Sequence, residues 1–228
     1  MNILKSFTAC LYISLLFSLS VQAQQPDPTN PENDNLAVPA NWNVRLDNPD
    51  KPATIGANAD SADIFFVNMT PGWHITTGPR AIFWHPESMA KGTYRVSTKI
   101  HLFNPGERNE AFGLFMGGEN LKKENQTYTY FLLRNSGEYL IKKRIGDETE
   151  VVKDWTKAAS MTTYDDTTKS SVPNTLSVEV GENMVQFFVN DEQVDSLPKE
   201  QLDTNGLVGL RINHALNVHV EDLKVEKL

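Results

Sequence analysis

Apolar residues recur along this chain with period two. In residues 92–102, Tyr94, Val96, Thr98, Ile100 and Leu102 fall on one face, while Arg95, Ser97, Lys99 and His101 fall on the other. Residues 174–180 and 216–220 alternate in the same way. Other segments are apolar on both sides, at 63–67, 111–116 and 130–133. Half-buried strands alternate and fully covered strands run on unbroken, so the mixture predicts two stacked sheets. Turn signals separate the runs: Asn104-Pro105-Gly106, Asn135-Ser136-Gly137, Gly181-Glu182-Asn183 and Asn190-Asp191. The segments at 135–138 and 181–183 predict hairpins. No stretch keeps a helical period; the best helical candidate is one turn at Lys199-Glu200-Gln201-Leu202, after Pro198. Such a pattern predicts an all-β fold, a two-sheet antiparallel β-sandwich of the jelly-roll kind.

The opening residues carry a different signal. Lys5 gives a positive start, residues 11–17 form a short apolar run, and Val21-Gln22-Ala23 places small residues at cleavage positions. A secretory signal peptide over residues 1–23, cut after Ala23, is expected, with a secreted or periplasmic destination. The apolar run is too short to stay as a membrane span. Residues 24–40 are rich in Pro, Asn and Asp and predict a disordered linker, so the β-sandwich domain is placed at 41–228. Cleavage removes Cys10, the single cysteine, which leaves stability to the hydrophobic core. It also removes Lys5, so that 20 basic residues face 29 acidic ones and the formal net charge moves from −8 to −9. That balance opposes nucleic-acid and anionic-membrane partners and is compatible with neutral sugars.

The C-terminal third resembles a known family. Residues 176–180 followed by Val185-Gln186-Phe187-Phe188-Val189-Asn190-Asp191 are similar to the paired strands of laminin-G-like and glucanase-like jelly rolls, with Asp191 where a glycine is usual. Gly206-Leu207-Val208-Gly209-Leu210-Arg211 and residues 218–225 resemble the next two strands, and residues 112–118 with 130–134 resemble the preceding sheet. The resemblance is to the concanavalin A-like lectin/glucanase superfamily and covers roughly residues 92–228. It implies a fold that hosts lectins, glycosidases and structural modules. It also allows a structural calcium, for which Asp63 and Asp222 are the candidate oxygen ligands, although no acidic loop of defined spacing is seen.

Catalytic signatures are sparse. Retaining glucanases of this superfamily carry Glu-x-Asp-x-x-Glu on one strand, which places the nucleophile and the acid on one face. The chain has no such run. Glu110 stands alone beside the strand that matches, and Glu148 and Glu150 read as a solvated hairpin end. There is no Gly-x-Ser-x-Gly elbow and no phosphate loop. The five histidines, His74, His85, His101, His214 and His219, form no zinc-protease motif, and His101 and His219 read as ordinary partly exposed strand residues. Were the chain a hydrolase, Glu110, Asp63 and Glu119 would be the carboxylates to examine.

Aromatic residues beside polar ones give the better lead, because sugar rings stack on indoles and phenols while polar neighbours bond their hydroxyls. Trp73-His74 and Trp84-His85 flank Gly78-Pro79-Arg80. A hairpin there would gather Trp73, His74, Arg80, Trp84 and His85 on one rim; otherwise the two tryptophans are core residues at sheet edges. Tyr128, Tyr130 and Arg134 share a strand face with Leu132, and Lys142 and Arg144 would lie beside them across the hairpin. That face lines a groove if it is the concave one, or packs into the sandwich if it is not. Trp42 and Trp155 read as core plugs. The expectation is an exported, lectin-like carbohydrate-binding module with no catalytic role, no required cofactor and a glycan or polysaccharide partner. The alternatives are a glycoside hydrolase-like enzyme of the glucanase or keto-disaccharide hydrolase group, and a structural envelope protein.

Overall fold

The computed structural model describes residues 36–48, 53–165, 167 and 170–228. The expected signal peptide, its cleavage site, Cys10 and the linker up to residue 35 lie outside the described residues.

Strands account for nearly all regular structure, as the period-two pattern requires. In chain order they are β1 (Asn43–Leu46), β2 (Ile55–Gly56), β3 (Ile64–Asn68), β4 (Trp73–Thr77), β5 (Ala81–Trp84), β6 (Met89–Ala90) and β7 (Tyr94–Phe103). There follow β8 (Ala111–Glu119), β9 (Thr127–Arg134), β10 (Glu138–Ile145), β11 (Glu148–Lys157) and β12 (Ser171–Val180). The last are β13 (Met184–Val189), β14 (Glu192–Pro198), β15 (Gly206–Ile212), β16 (Asn217–Val220) and β17 (Lys224–Lys227). The predicted helical turn is a 3-10 turn at Lys199–Gln201.

Two sheets stack face to face. One runs β1-β5-β15-β8-β9-β10-β11, with β6 added on β15; the other runs β14-β13-β12-β7-β16-β4-β3-β2, with β17 added on β7. Pairing is antiparallel except between β2 and β3. Both predicted hairpins form, β9 with β10 and β12 with β13. In β7, Tyr94, Val96, Thr98, Ile100 and Leu102 are buried, while Arg95, Ser97 and Lys99 are half-buried on the other face. The interior between the sheets is filled by such residues, among them Phe66, Phe83, Phe112, Phe131 and Phe187. By the usual area rule, each fully buried ring adds about 2–3 kcal/mol against exposure.

The polar stretch at residues 156–172 makes a shorter connection than its composition suggests, because β11 reaches Lys157 and β12 starts at Ser171. Asparagine side chains pin it. Asn135 brackets Tyr164, accepting from its N–H at 2.7 Å and donating to its carbonyl at 3.0 Å. Buried Asn174 does the same for Thr162, at 2.9 and 2.8 Å.

Gly78-Pro79-Arg80 does not turn a hairpin. It carries the chain from β4 in one sheet to β5 in the other. Trp73 therefore faces the interior, with its ring 4.6 Å from that of Trp42, while Trp84 lies on a different sheet and faces away from the interior. Trp155 is likewise no plug of the interior between the sheets: it packs on the away face of the eight-stranded sheet.

Candidate functional site

A sandwich sheet has one face toward its partner and one turned away. On the eight-stranded sheet the turned-away face is itself apolar, carrying Ile82, Trp84, Phe115, Tyr128, Tyr130 and Leu132. Alternation produces it: in β9, Phe131 and Leu133 go inward, and Tyr128, Tyr130 and Leu132 go outward. The expected neighbours across the hairpin are present, since Lys142 pairs with Tyr130 and Arg144 with Tyr128.

This layer is roofed rather than open. Tyr128, Tyr130 and Trp84 retain 1%, 4% and 3% of their exposure, so no ring face is free to stack on a sugar. Arg211 from β15 forms part of the roof, its guanidinium 4.7 Å above the Tyr130 ring. Its Nη1 donates to the Tyr128 hydroxyl at 3.0 Å and to Asp47 Oδ1 at 2.8 Å, and its Nη2 donates to Asp47 Oδ2 at 2.6 Å. Burial alone would raise the Asp47 carboxyl, but the hydrogen bond and charge of Arg211, with the charges of Arg144 and Arg80, hold it below the ordinary value. Burial raises both phenols, which stay protonated.

At one end of the same sheet, among strand ends and turns, lies an open groove of about 1030 Å³, lined by Arg45, Asp47, Arg80, Gln126, Arg144 and His214 among others. Its volume is at the upper end for small-molecule sites. Arg45 spans it, with Nη1 donating to the carbonyls of Leu121 and Lys123 at 3.0 and 2.8 Å. Arg144 Nε donates to the Gly146 carbonyl at 2.7 Å, and Gln126 Nε2 donates to the same oxygen at 3.2 Å. Arg80 Nε donates to His214 Nε2 at 3.2 Å and lies 3.7 Å from Asp47. Accepting there leaves the His214 proton on Nδ1, which faces Glu110 at 3.6 Å. The arrangement can hold a polar ligand by many hydrogen bonds to donors that are already positioned.

Of the residues expected from sequence, Arg80 and Arg144 line this groove, and Tyr128 and Tyr130 lie beneath it. Trp73 and His85 both pack on the Trp42 ring, but His74 and Trp84 lie on the outer faces of different sheets, so the four do not form one rim. His85 lies after β5, 6.2 Å from Trp42. Arg134 stacks 4.0 Å over Trp155 and pairs with Glu138 at 2.8 Å. His74 sits on the turned-away face of the nine-stranded sheet, directly opposite His219, which is opposite His101. All three are buried, against the expectation that His101 and His219 are partly exposed: the rings of His101 and His219 pack on each other at 5.7 Å, and Phe65 and Phe103 pack on His74. Burial, then the neighbouring histidine, lowers both His74 and His219 to about 4.

The carboxylates of the hydrolase alternative do not meet. Glu110 and Glu119 stand at opposite ends of β8, about 25–30 Å apart by the rise of a strand. Asp63 is on the other sheet, where its carboxylate accepts from the Thr54 N–H and hydroxyl at 2.8 and 2.9 Å. Asp222 pairs with Lys224 at 2.6 Å, apart from Asp63. Among the described residues no group of three or more His, Cys, Asp or Glu is placed to hold a metal ion. Sequence reading missed Arg45, Asp47, Gln126, His214 and Arg211. Only Arg211 left a trace, as the single charge in an otherwise apolar strand.

Solved structures share this architecture. The carbohydrate binding module CBM66 from Bacillus subtilis aligns with a TM-score of 0.55 at 11% identity, over 82% of this chain and 96% of that one. A GH16 protein of a Bacteroides ovatus mixed linkage glucan PUL, in complex with a G4G4G3G product, aligns at 0.55 and 10%, over 81% and 94%. A Bacillus subtilis protein of unknown function with a galectin-like fold aligns at 0.51 and 11%, over 82% and 89%. No protein-family model and no curated protein matches the chain. The likeness is one of fold, a two-sheet β-sandwich of the jelly-roll kind.

Proposed function

We propose that the chain is an exported glycan-binding module without catalytic activity, which holds its ligand in the groove over the eight-stranded sheet. The observation that carries this reading is the groove itself: an open trough whose walls present arginine, amide and imidazole groups on rigid strands and their adjoining turns. Polyhydroxy ligands suit such a lining, and fixed donors reduce the entropy lost on binding. The fold likeness to a carbohydrate binding module and to a glucan-complexed GH16 protein supports a glycan over other polar ligands. The mode of recognition is hydrogen bonding rather than ring stacking, since the tyrosines lie under the roof.

The non-catalytic part rests on the scattered carboxylates and on Asp47, whose lowered pKa and bidentate arginine make it a poor proton donor. Export rests on Lys5, the apolar run and Val21-Gln22-Ala23. No helix of the described residues is long and apolar enough to cross a membrane. Calorimetry against a broad panel of polysaccharides tests the reading. Binding weakened several-fold by Arg80→Ala supports it; no binding to any glycan, or binding indifferent to groove substitutions, defeats it.

A further inference from the structure

We infer that the groove selects acidic glycans, taking the carboxylate of a uronate-type sugar on Arg144 and its neighbouring guanidinium groups. The inference rests on the glycan-binding reading above and sharpens it.

The chain is acidic overall, yet four of its seven arginines gather here: Arg45, Arg80 and Arg144 line the groove and Arg211 lies under it. The one carboxylate among them, Asp47, is already shared by Arg211 and Arg80. Arg144 is more than nine-tenths buried, has no carboxylate within 4 Å among the described residues, and spends a single hydrogen bond on Gly146. Arg45 also lacks an ion pair there, and its buried Nε has no partner. A buried cation with no carboxylate in contact is costly to hold, and a bound anion would offset that cost. Arg144 lines the groove and no hydrogen bond engages its Nη groups among the described residues; a planar guanidinium matches a carboxylate with two parallel hydrogen bonds.

Acidic side chains are also present, but they are placed differently. Glu124 and Asp147 are exposed at the rim, where solvent screens them, while Arg144 is held below in the drier part. An anionic sugar ring thus gains most at the floor. A neutral sugar leaves Arg144 with only the more distant charge of Asp47, beyond 4 Å, among the described residues.

The test uses the chain with three sets of probes: oligomers of galacturonate, glucuronate and mannuronate; their methyl esters; and dextran sulfate. Calorimetry is expected to give binding to at least one uronate oligomer, reduced at least tenfold by esterification and falling with added salt. Arg144→Gln should reduce uronate binding at least tenfold and change binding of the ester by less than twofold. Because Arg144 is buried, its variant is checked by thermal unfolding, and exposed Arg80→Gln, expected to lose about fivefold, serves where it fails to fold. Equal binding of acid and ester overturns acidic selectivity and leaves the glycan-binding reading standing. Binding of dextran sulfate with no uronate binding overturns the carboxylate assignment. Binding of no glycan overturns both.

Discussion

Arg211 and Asp47, 164 residues apart in sequence, form a bidentate pair over the tyrosine layer, with both terminal guanidinium nitrogens, Nη1 and Nη2, engaged at 2.8 and 2.6 Å. The pair ties β15 to the end of β1 and sets the floor of the groove. Breaking it from one side leaves a charge stranded in a site with little water. Arg211→Met and Asp47→Asn are each expected to destabilise the fold by about 3–5 kcal/mol. The double substitution is expected to cost clearly less than their sum. Urea unfolding of the three variants measures this, and additive losses would show that the two residues are not coupled.

Acid should weaken the protein through the histidine row. His74 and His219 are held near 4 in the folded chain, by burial first and by the adjacent histidine second, against about 6.5 when unfolded. The unfolded chain binds their protons first, so stability is full above pH 6.5 and falls as pH drops from 6.5 toward 4. Each histidine contributes up to about 3 kcal/mol over that window. Asp47 and Glu221, whose carboxyls are lowered, add their loss below that range. Urea midpoints at pH 7 and pH 4.5 check this, and His74→Gln with His219→Gln should flatten the slope between them.

Two glycines with positive φ should respond very differently to alanine. Gly117 sits in the bulge of β8 at φ 66°, where an added Cβ would lie 2.1 Å from the Asp203 carbonyl oxygen. Gly92, at φ 82°, has open space around it. Gly117→Ala is expected to cost more than about 3 kcal/mol, from strain and clash together, and Gly92→Ala about 1 kcal/mol from backbone strain alone. Thermal melts of the two variants separate these contributions.

The β13–β14 turn has both Asn190 and Asp191 at positive φ, 50° and 64°. Glycine takes the second position without side-chain strain. Asp191→Gly is expected to stabilise the fold by about 0.5 kcal/mol. The ion pair it removes, with Arg95 at 3.5 Å, is exposed and contributes little. A lower unfolding midpoint would show that the pair outweighs the turn.

Much of the architecture could be read from local pattern. The alternation of 94–102 named the inward face of β7, and the turn at 135–137 set the register that puts Arg144 beside Tyr128. The near-repeated Trp-His dipeptides misled, because adjacency in sequence says nothing about which sheet a strand joins. Trp73 and Trp84 are eleven positions apart and yet belong to different sheets. The groove was harder still. Its charges come from β1, from the β4–β5 crossing, from β10 and from β15, and neither Asp47 nor Arg45 has any neighbour in sequence that betrays Arg211. Tyr128 and Tyr130 do share the face that the alternation implies, but both are buried, with Arg211 over the Tyr130 ring.

Because the trough draws on strands from early, middle and late in the chain, no partial sandwich can possess it. A nascent or proteolytically trimmed form without β15 would keep many local hairpins and still offer nothing for a guest to grip. On the proposed function, occupancy of the trough would report on the completed assembly of the sheet, and protection by a ligand would gauge native topology rather than secondary structure alone.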